Sequence, residues 1–192
     1  MVYVFLLMLL SQTPTAMASL QDHVGYSALQ DQLGVSGMPD GSSVSVLQVE
    51  AGEAYFPNTA DAQFVSGVLP KTFVNLNNNN SNGAQSTHST SVGRYFYGNN
   101  SSLSPEIHDI GIYSANGFLD EVLNNTNSNS DVPMASARRL ANHSWVGGYY
   151  VSNNGAINLN ATARALKRLD WLIDNDDMIQ VVGTNNGSVS KP

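Results

Sequence analysis

Strand-like and helix-like stretches alternate along this chain from Ser43 onward, and that alternation constrains its fold more than any other feature. Ser43 to Val49 is a β-branched, apolar run ending in Glu50, with the residue types of a buried strand. Thr72–Leu76, His108–Tyr113, Arg139–Trp145 and Ile179–Val182 read as further strands. Between them, His88 to Gly98 sets Val92, Tyr95 and Phe96 at helical spacing, and Asn116 to Leu123 reads as a short helix. Ala161 to Ile173 is the clearest helix, with Ala165, Leu166, Leu169, Leu172 and Ile173 on one stripe. Strands joined through helices are parallel, and the helices cover both faces of their sheet. The expected fold class is therefore α/β, a three-layer sandwich with a parallel central sheet. In such sheets functional residues gather beyond the carboxyl ends of the strands. Gln48–Glu50, Asn142–Trp145 and Asn185–Asn186 fall at such places, and His88 falls at a helix start.

The ends of the chain read differently. Val2 to Leu10 is apolar but too short to cross a bilayer as a helix. Ala16-Met17-Ala18 then gives the small-x-small pattern of a cleavage site before Ser19, so residues 1–18 read as a signal peptide, although they hold no Lys or Arg. Residues 19–42, with Gly34, Gly37 and the turn Pro39-Asp40-Gly41, read as an irregular lead-in, and 43–192 as one domain. Asn77–Asn80 and Asn124–Asp131 are polar tracts expected in loops.

Composition removes several function classes. Fifteen acids against eight bases give a net charge of -7, without the basic face that a nucleic-acid partner requires. The absence of cysteine excludes disulfide frameworks, thiolate zinc sites and a cysteine nucleophile. His23, His108 and His143 have no metal-ligand spacing. Asp170, Asp174, Asp176 and Asp177 lack the glycine and terminal glutamate of a calcium loop, so they read as solvated acids near a helix end. No metal and no cofactor are expected, and no Gly-x-Gly-x-x-Gly loop follows a strand.

Four blocks across roughly residues 40–187 stand in an order that resembles the subtilisin-like serine peptidases, the subtilases. Ser43-Val44-Ser45-Val46-Leu47-Gln48-Val49-Glu50 is similar to the first strand, whose end carries the triad aspartate. His88-Ser89-Thr90-Ser91-Val92-Gly93 resembles the His-Gly-Thr-x-Val-Ala/Gly block in which the triad histidine opens a helix. Asn142-His143-Ser144-Trp145-Val146-Gly147 is similar to the Asn-x-Ser-Trp-Gly strand that pairs with bound peptide. Val181-Val182-Gly183-Thr184-Asn185-Asn186-Gly187 resembles the block ending Gly-Asn-x-Gly, whose asparagine donates to the oxyanion.

The resemblance implies His88 as general base, Asn185 as oxyanion donor, and Ser144, Trp145 and Gly147 as residues lining a peptide or protein substrate. Those types suit the chemistry: a serine needs a base titrating near neutrality, and a carboxylate must hold the imidazole and steady its charge. A direct overlay puts Gln48 at the aspartate position, where an amide supplies no charge. Glu50, two residues on, faces the same way in an extended strand, and is the expected orienter of His88. Gln48 is also the feature that favours the alternative, a degenerate, non-catalytic subtilase-fold domain serving as a cell-surface binding module. The family's nucleophile lies in a Gly-Thr-Ser-x-Ala-x-Pro block opening a later helix. Nothing after Asn186 resembles it, and Met134-Ala135-Ser136-Ala137 falls in the wrong order. The chain is thus expected to be the N-terminal part of a secreted serine endopeptidase, inactive as it stands and free of the membrane once the signal is removed.

Overall fold

A computed structural model describes residues 20–66, 70–78, 83–125, 132–134, 136–145 and 159–183; the expected signal peptide, Gly147 and Asn185 lie outside them. The chain divides into two compact units, residues 1–38 and 39–192. The first holds helix α1 (Leu20–His23), helix α2 (Tyr26–Leu33) and a 3-10 turn at Val35–Gly37, so much of the stretch read as irregular is helical. Gly25, at φ 77°, separates the two helices in a left-handed conformation that favours glycine.

The second unit is built on five strands: β1 (Ser45–Glu50), β2 (Thr72–Asn75), β3 (Asp109–Ser114), β4 (Leu140–Ser144) and β5 (Ile179–Val182). They form one sheet in the order β2-β3-β1-β4-β5, and every described pairing is parallel. Helices α3 (Ala62–Val65) and α4 (Thr87–Tyr97) precede β3, while the turn α5 (Ala115–Gly117), a π-helix (Phe118–Val122) and α6 (Leu159–Asp176) follow it. This is an α/β three-layer sandwich with a parallel central sheet.

Side-chain alternation along the central strand sorts the two outer layers. Val46 joins Tyr55, Phe64 of α3, Tyr97 of α4, Ile110 and Ile112 in one core. Leu47 and Val49 join Phe118 and Val122 of the π-helix and Leu172 of α6 in the other. Both faces of β1 are covered, so every residue from Val46 to Glu50 is buried, polar ones included. The crossover from β1 to β2 passes over the α4 face in one direction along the sheet; those from β3 to β4 and β4 to β5 pass over the other face in the opposite direction. Those three share a hand. The crossover from β2 to β3 carries α4 on the first face while moving in the second direction, which gives it the opposite hand. Parallel crossovers are right-handed in about 98% of cases, so α4 is held in an uncommon connection.

Helix α4 starts at Ser86, whose side chain accepts from the Ser89 amide at 3.3 Å. Its buried face is Ser89, Thr90, Gly93 and Tyr97, and Tyr95 of the expected apolar stripe is exposed. Small residues let this helix lie close: a Cβ on Gly93 would meet the Tyr97 ring at 2.8 Å and the Phe64 ring at 3.0 Å. The stripe expected on α6 is likewise only partly buried. Leu172 is buried, but Leu166 is 59% and Ile173 42% exposed. Polar contacts do much of the docking instead: Arg168 Nη1 donates to the Leu123 carbonyl at 2.9 Å, and Arg164 Nη2 to that of Asn125 at 2.7 Å. Asp170, Asp174 and Asp177 are exposed, as acids near a helix end, and Asp177 sits just beyond α6 at φ 49°.

Among the described strands β5 is an edge, and its Ile179, Val181 and Val182 side chains are all more than half exposed. An exposed apolar edge strand is a template for pairing with another chain. Sedimentation should therefore show self-association rising with protein concentration, and Val181→Lys should suppress it. The substitution itself should change stability by no more than about 0.5 kcal/mol, because the side chain is exposed. Concentration-independent, monomeric sedimentation of the wild type would contradict this reading of the edge. Among the described residues, no helix is long and apolar enough to cross a membrane.

Candidate functional site

The carboxyl end of β1 meets the start of α4. Glu50 is the last residue of the strand and pairs in register with Ser114 of β3 on one side and Ser144 of β4 on the other. His88 is the second residue of α4, which starts over that end of the sheet because the loop from β2 delivers it there. Glu50 Oε2 lies 3.3 Å from His88 Nε2, with the carboxylate 1% exposed and the imidazole 66% exposed. The same Nε2 is 3.1 Å from the Ser144 carbonyl oxygen. A carbonyl oxygen only accepts, so Nε2 carries the proton in its hydrogen bond to Ser144, and Nδ1 of the neutral ring holds the lone pair; Glu50 approaches the same nitrogen as an ion-pair neighbour. One strand end, one helix start and one neighbouring strand end thus hold an imidazole in a defined tautomer.

Burial pushes the Glu50 carboxyl up from its ordinary 4.5 to about 7. A hydrogen bond from Gln48 and the charge of His88 work in the opposite direction and offset part of that rise. Among the described residues Glu50 Oε2 has no hydrogen-bond partner, and His88 is its ion-pair neighbour. Glu50, and not Gln48, faces His88. Gln48 turns beneath it, its amide nitrogen 2.8 Å from Glu50 Oε1, 2.9 Å from the Ser89 carbonyl and 3.0 Å from Ser89 Oγ. The Tyr97 hydroxyl donates to Gln48 Oε1. Sequence reasoning brought Glu50 and His88 together but missed Ser89 and Tyr97.

Ser144 contributes its carbonyl to His88, while its hydroxyl accepts from the Asn142 amide at 2.7 Å. Trp145 turns the other way. It packs, partly buried, against the core on the α6 side, and its indole N–H donates to His143 Nδ1 at 3.1 Å. An indole donates only, so Nδ1 is the acceptor and His143 Nε2–H donates to Gln180 Oε1 at 2.6 Å. Burial holds the His143 pKa below its ordinary 6.5, and the ring stays neutral between Phe118 and Trp145. His143 is thus a satisfied core residue on the face opposite Glu50.

Over the ends of β1 and β3 lies an open cavity of about 750 Å³ whose walls include Gly52, Tyr55, Asn77, Ser114, Asp120 and Glu121 but neither Glu50 nor His88. Burial raises the pKa of the Asp120 carboxyl there. Among the described residues, no group of three or more His, Cys, Asp or Glu is arranged to hold a metal ion. Comparison with protein-family models, with curated proteins and with solved structures finds no match to this chain.

Proposed function

We propose that this chain carries the orienter and base of a subtilisin-like serine endopeptidase, the N-terminal part of a secreted enzyme that hydrolyses peptide bonds. The observation that carries the reading is the 3.3 Å approach of a buried carboxylate at the end of the central strand to an imidazole at a helix start. Glu50 holds the ring and stabilises the imidazolium formed when His88 takes a proton from an attacking serine. The order β2-β3-β1-β4-β5 supports it, because the pair lies where the chain reverses direction across the sheet, the usual ligand crevice of an open α/β fold. Asn185 would donate to the oxyanion, and Ser144 and Gly147 would line the bound peptide, by the likeness of their blocks to the family's, whereas the Trp145 side chain, expected beside them, packs into the core on the other face. Export rests on the signal-peptide reading of residues 1–18. No Gly-Thr-Ser-x-Ala-x-Pro block occurs in the 192 residues, and the 192-residue chain is expected to be inactive on peptides by itself.

Reading the gene on from Pro192 and treating its full product with a fluorophosphonate, which captures activated serines, tests this. The expected result is a labelled serine within such a block, with labelling slowed about 10³-fold or more in His88→Ala and absent from the 192-residue chain. Equal labelling of His88→Ala, or a gene with no such serine, contradicts it; the latter favours the non-catalytic binding module.

A further inference from the structure

Drawing its catalytic meaning from the peptidase reading above, we propose that Gln48 is a positioning residue whose side-chain amide, held by Tyr97 and Ser89, fixes the Glu50 carboxylate in the orientation that meets His88. Gln48 and Glu50 sit two residues apart on one face of β1, and both are fully buried. A lone carboxylate on such a strand can turn about its last bond and present either oxygen. Here Oε1 accepts from the Gln48 amide at 2.8 Å, which leaves Oε2 as the oxygen 3.3 Å from His88 Nε2.

The amide is itself fixed. Its nitrogen faces three acceptors, Glu50 Oε1, the Ser89 carbonyl and Ser89 Oγ, while its oxygen receives the Tyr97 hydroxyl. Turning the amide over would set its oxygen against a carboxylate and a carbonyl, neither of which donates. Ser89 is anchored in turn, its hydroxyl donating to the Tyr55 carbonyl at 2.9 Å. Ser89 and Tyr97 belong to α4, the helix that carries His88. The network therefore ties the strand bearing the carboxylate to the helix bearing the imidazole, from underneath and out of water.

The residue type fits that task. A hydrocarbon at position 48 would strand the Tyr97 hydroxyl and a carboxylate oxygen without partners. An acid there would set two carboxyls side by side in a buried site, where they resist ionising together. An amide alone offers a donor to Glu50 and an acceptor to Tyr97. The titratable groups facing Glu50 are His88 above and Tyr97 beyond the amide.

The test is a carbon-13 NMR titration of the Glu50 carboxyl in the 192-residue chain, wild type against Gln48→Met and Tyr97→Phe, with folding checked by circular dichroism. The wild-type midpoint is expected at about 7. Losing the amide donor should raise it by about one unit in Gln48→Met. Tyr97→Phe keeps the amide but frees it to turn, and should shift the midpoint the same way by less. A merely space-filling Gln48 would leave the midpoint where it is. Should Gln48→Met not fold, Tyr97→Phe decides alone; a folded variant of either kind that titrates like wild type overturns the proposal. The peptidase reading is judged on serine labelling and this one on a titration, so each can fail without the other.

Discussion

Replacing Glu50 by glutamine should stabilise the folded protein at pH 8 by up to about 3 kcal/mol and remove the share of its pH dependence that Glu50 contributes. The sign follows from the raised carboxyl. Unfolded, Glu50 releases its proton near 4.5, whereas in the fold it keeps the proton up to about 7. Between those values the native state binds more protons than the unfolded chain, so stability falls as pH rises through the window. Above it, the fold carries an ionised carboxylate that is 1% exposed with His88 as its described ion partner. Glutamine removes the charge and keeps an oxygen for the Gln48 amide. His143 acts in the reverse sense, because its lowered pKa makes the fold lose stability as pH drops below about 6.5. Subtracting the urea-unfolding curves of Glu50→Gln and wild type, pH by pH, cancels that contribution. A difference that stays flat from pH 5 to pH 8 would show that Glu50 ionises as freely in the fold as outside it.

Phe64→Ala should cost about 3–5 kcal/mol and lower the melting temperature by roughly 6–20 °C. Phe64 is buried in α3 and is the keystone of an aromatic cluster: its ring lies 5.3 Å from Phe73 of β2 and 5.4 Å from Tyr97 of α4. The contact joins an edge strand to the helix that carries His88. Rings at that spacing contribute beyond their buried area, and an alanine leaves a void that Gly93 is too small to fill. Against a total stability of about 5–15 kcal/mol, the loss is large. The Asp61–Arg94 pair, 2.6 Å apart, ties the start of α3 to the last turn of α4, yet its replacement by neutral residues should matter far less because Arg94 is solvent-exposed. A Phe64→Ala protein melting within a degree or two of wild type would mean that α4 is held by something other than this cluster.

The sheet was legible from residue types because its central strand is buried on both faces and its edge strand β5 is β-branched and apolar although exposed. Val46 to Glu50 is covered on both faces, and Ile179–Val182 occupies the span read for it. Helix existence was legible as well, but helix orientation was not. Hydropathy picked Val92, Tyr95 and Phe96 on α4, whereas the buried line is Ser89, Thr90, Gly93 and Tyr97. A helix packed tightly on a sheet needs small side chains at the contact, and small polar residues look like surface. The same confusion hid Arg164 and Arg168, which face inward on α6 to satisfy carbonyls at the end of the π-helix. Glu50 and His88 could be paired because their blocks resemble the subtilase strand and helix start that carry an orienter and a base, each at an element boundary. The link from Gln48 to Ser89 and Tyr97 spans 41 and 49 positions, and no local pattern announces a polar network that closes only in three dimensions.

The orienter–base pair stands or falls on one comparison: the kcat for peptide hydrolysis of the full gene product and of its Glu50→Gln variant, measured together at pH 8. A pair in which the carboxylate steadies the imidazolium predicts a fall of about 10⁴-fold, with the variant melting higher than the wild type. A kcat left unchanged by the substitution, or a full product with no hydrolysis to lose, would contradict it.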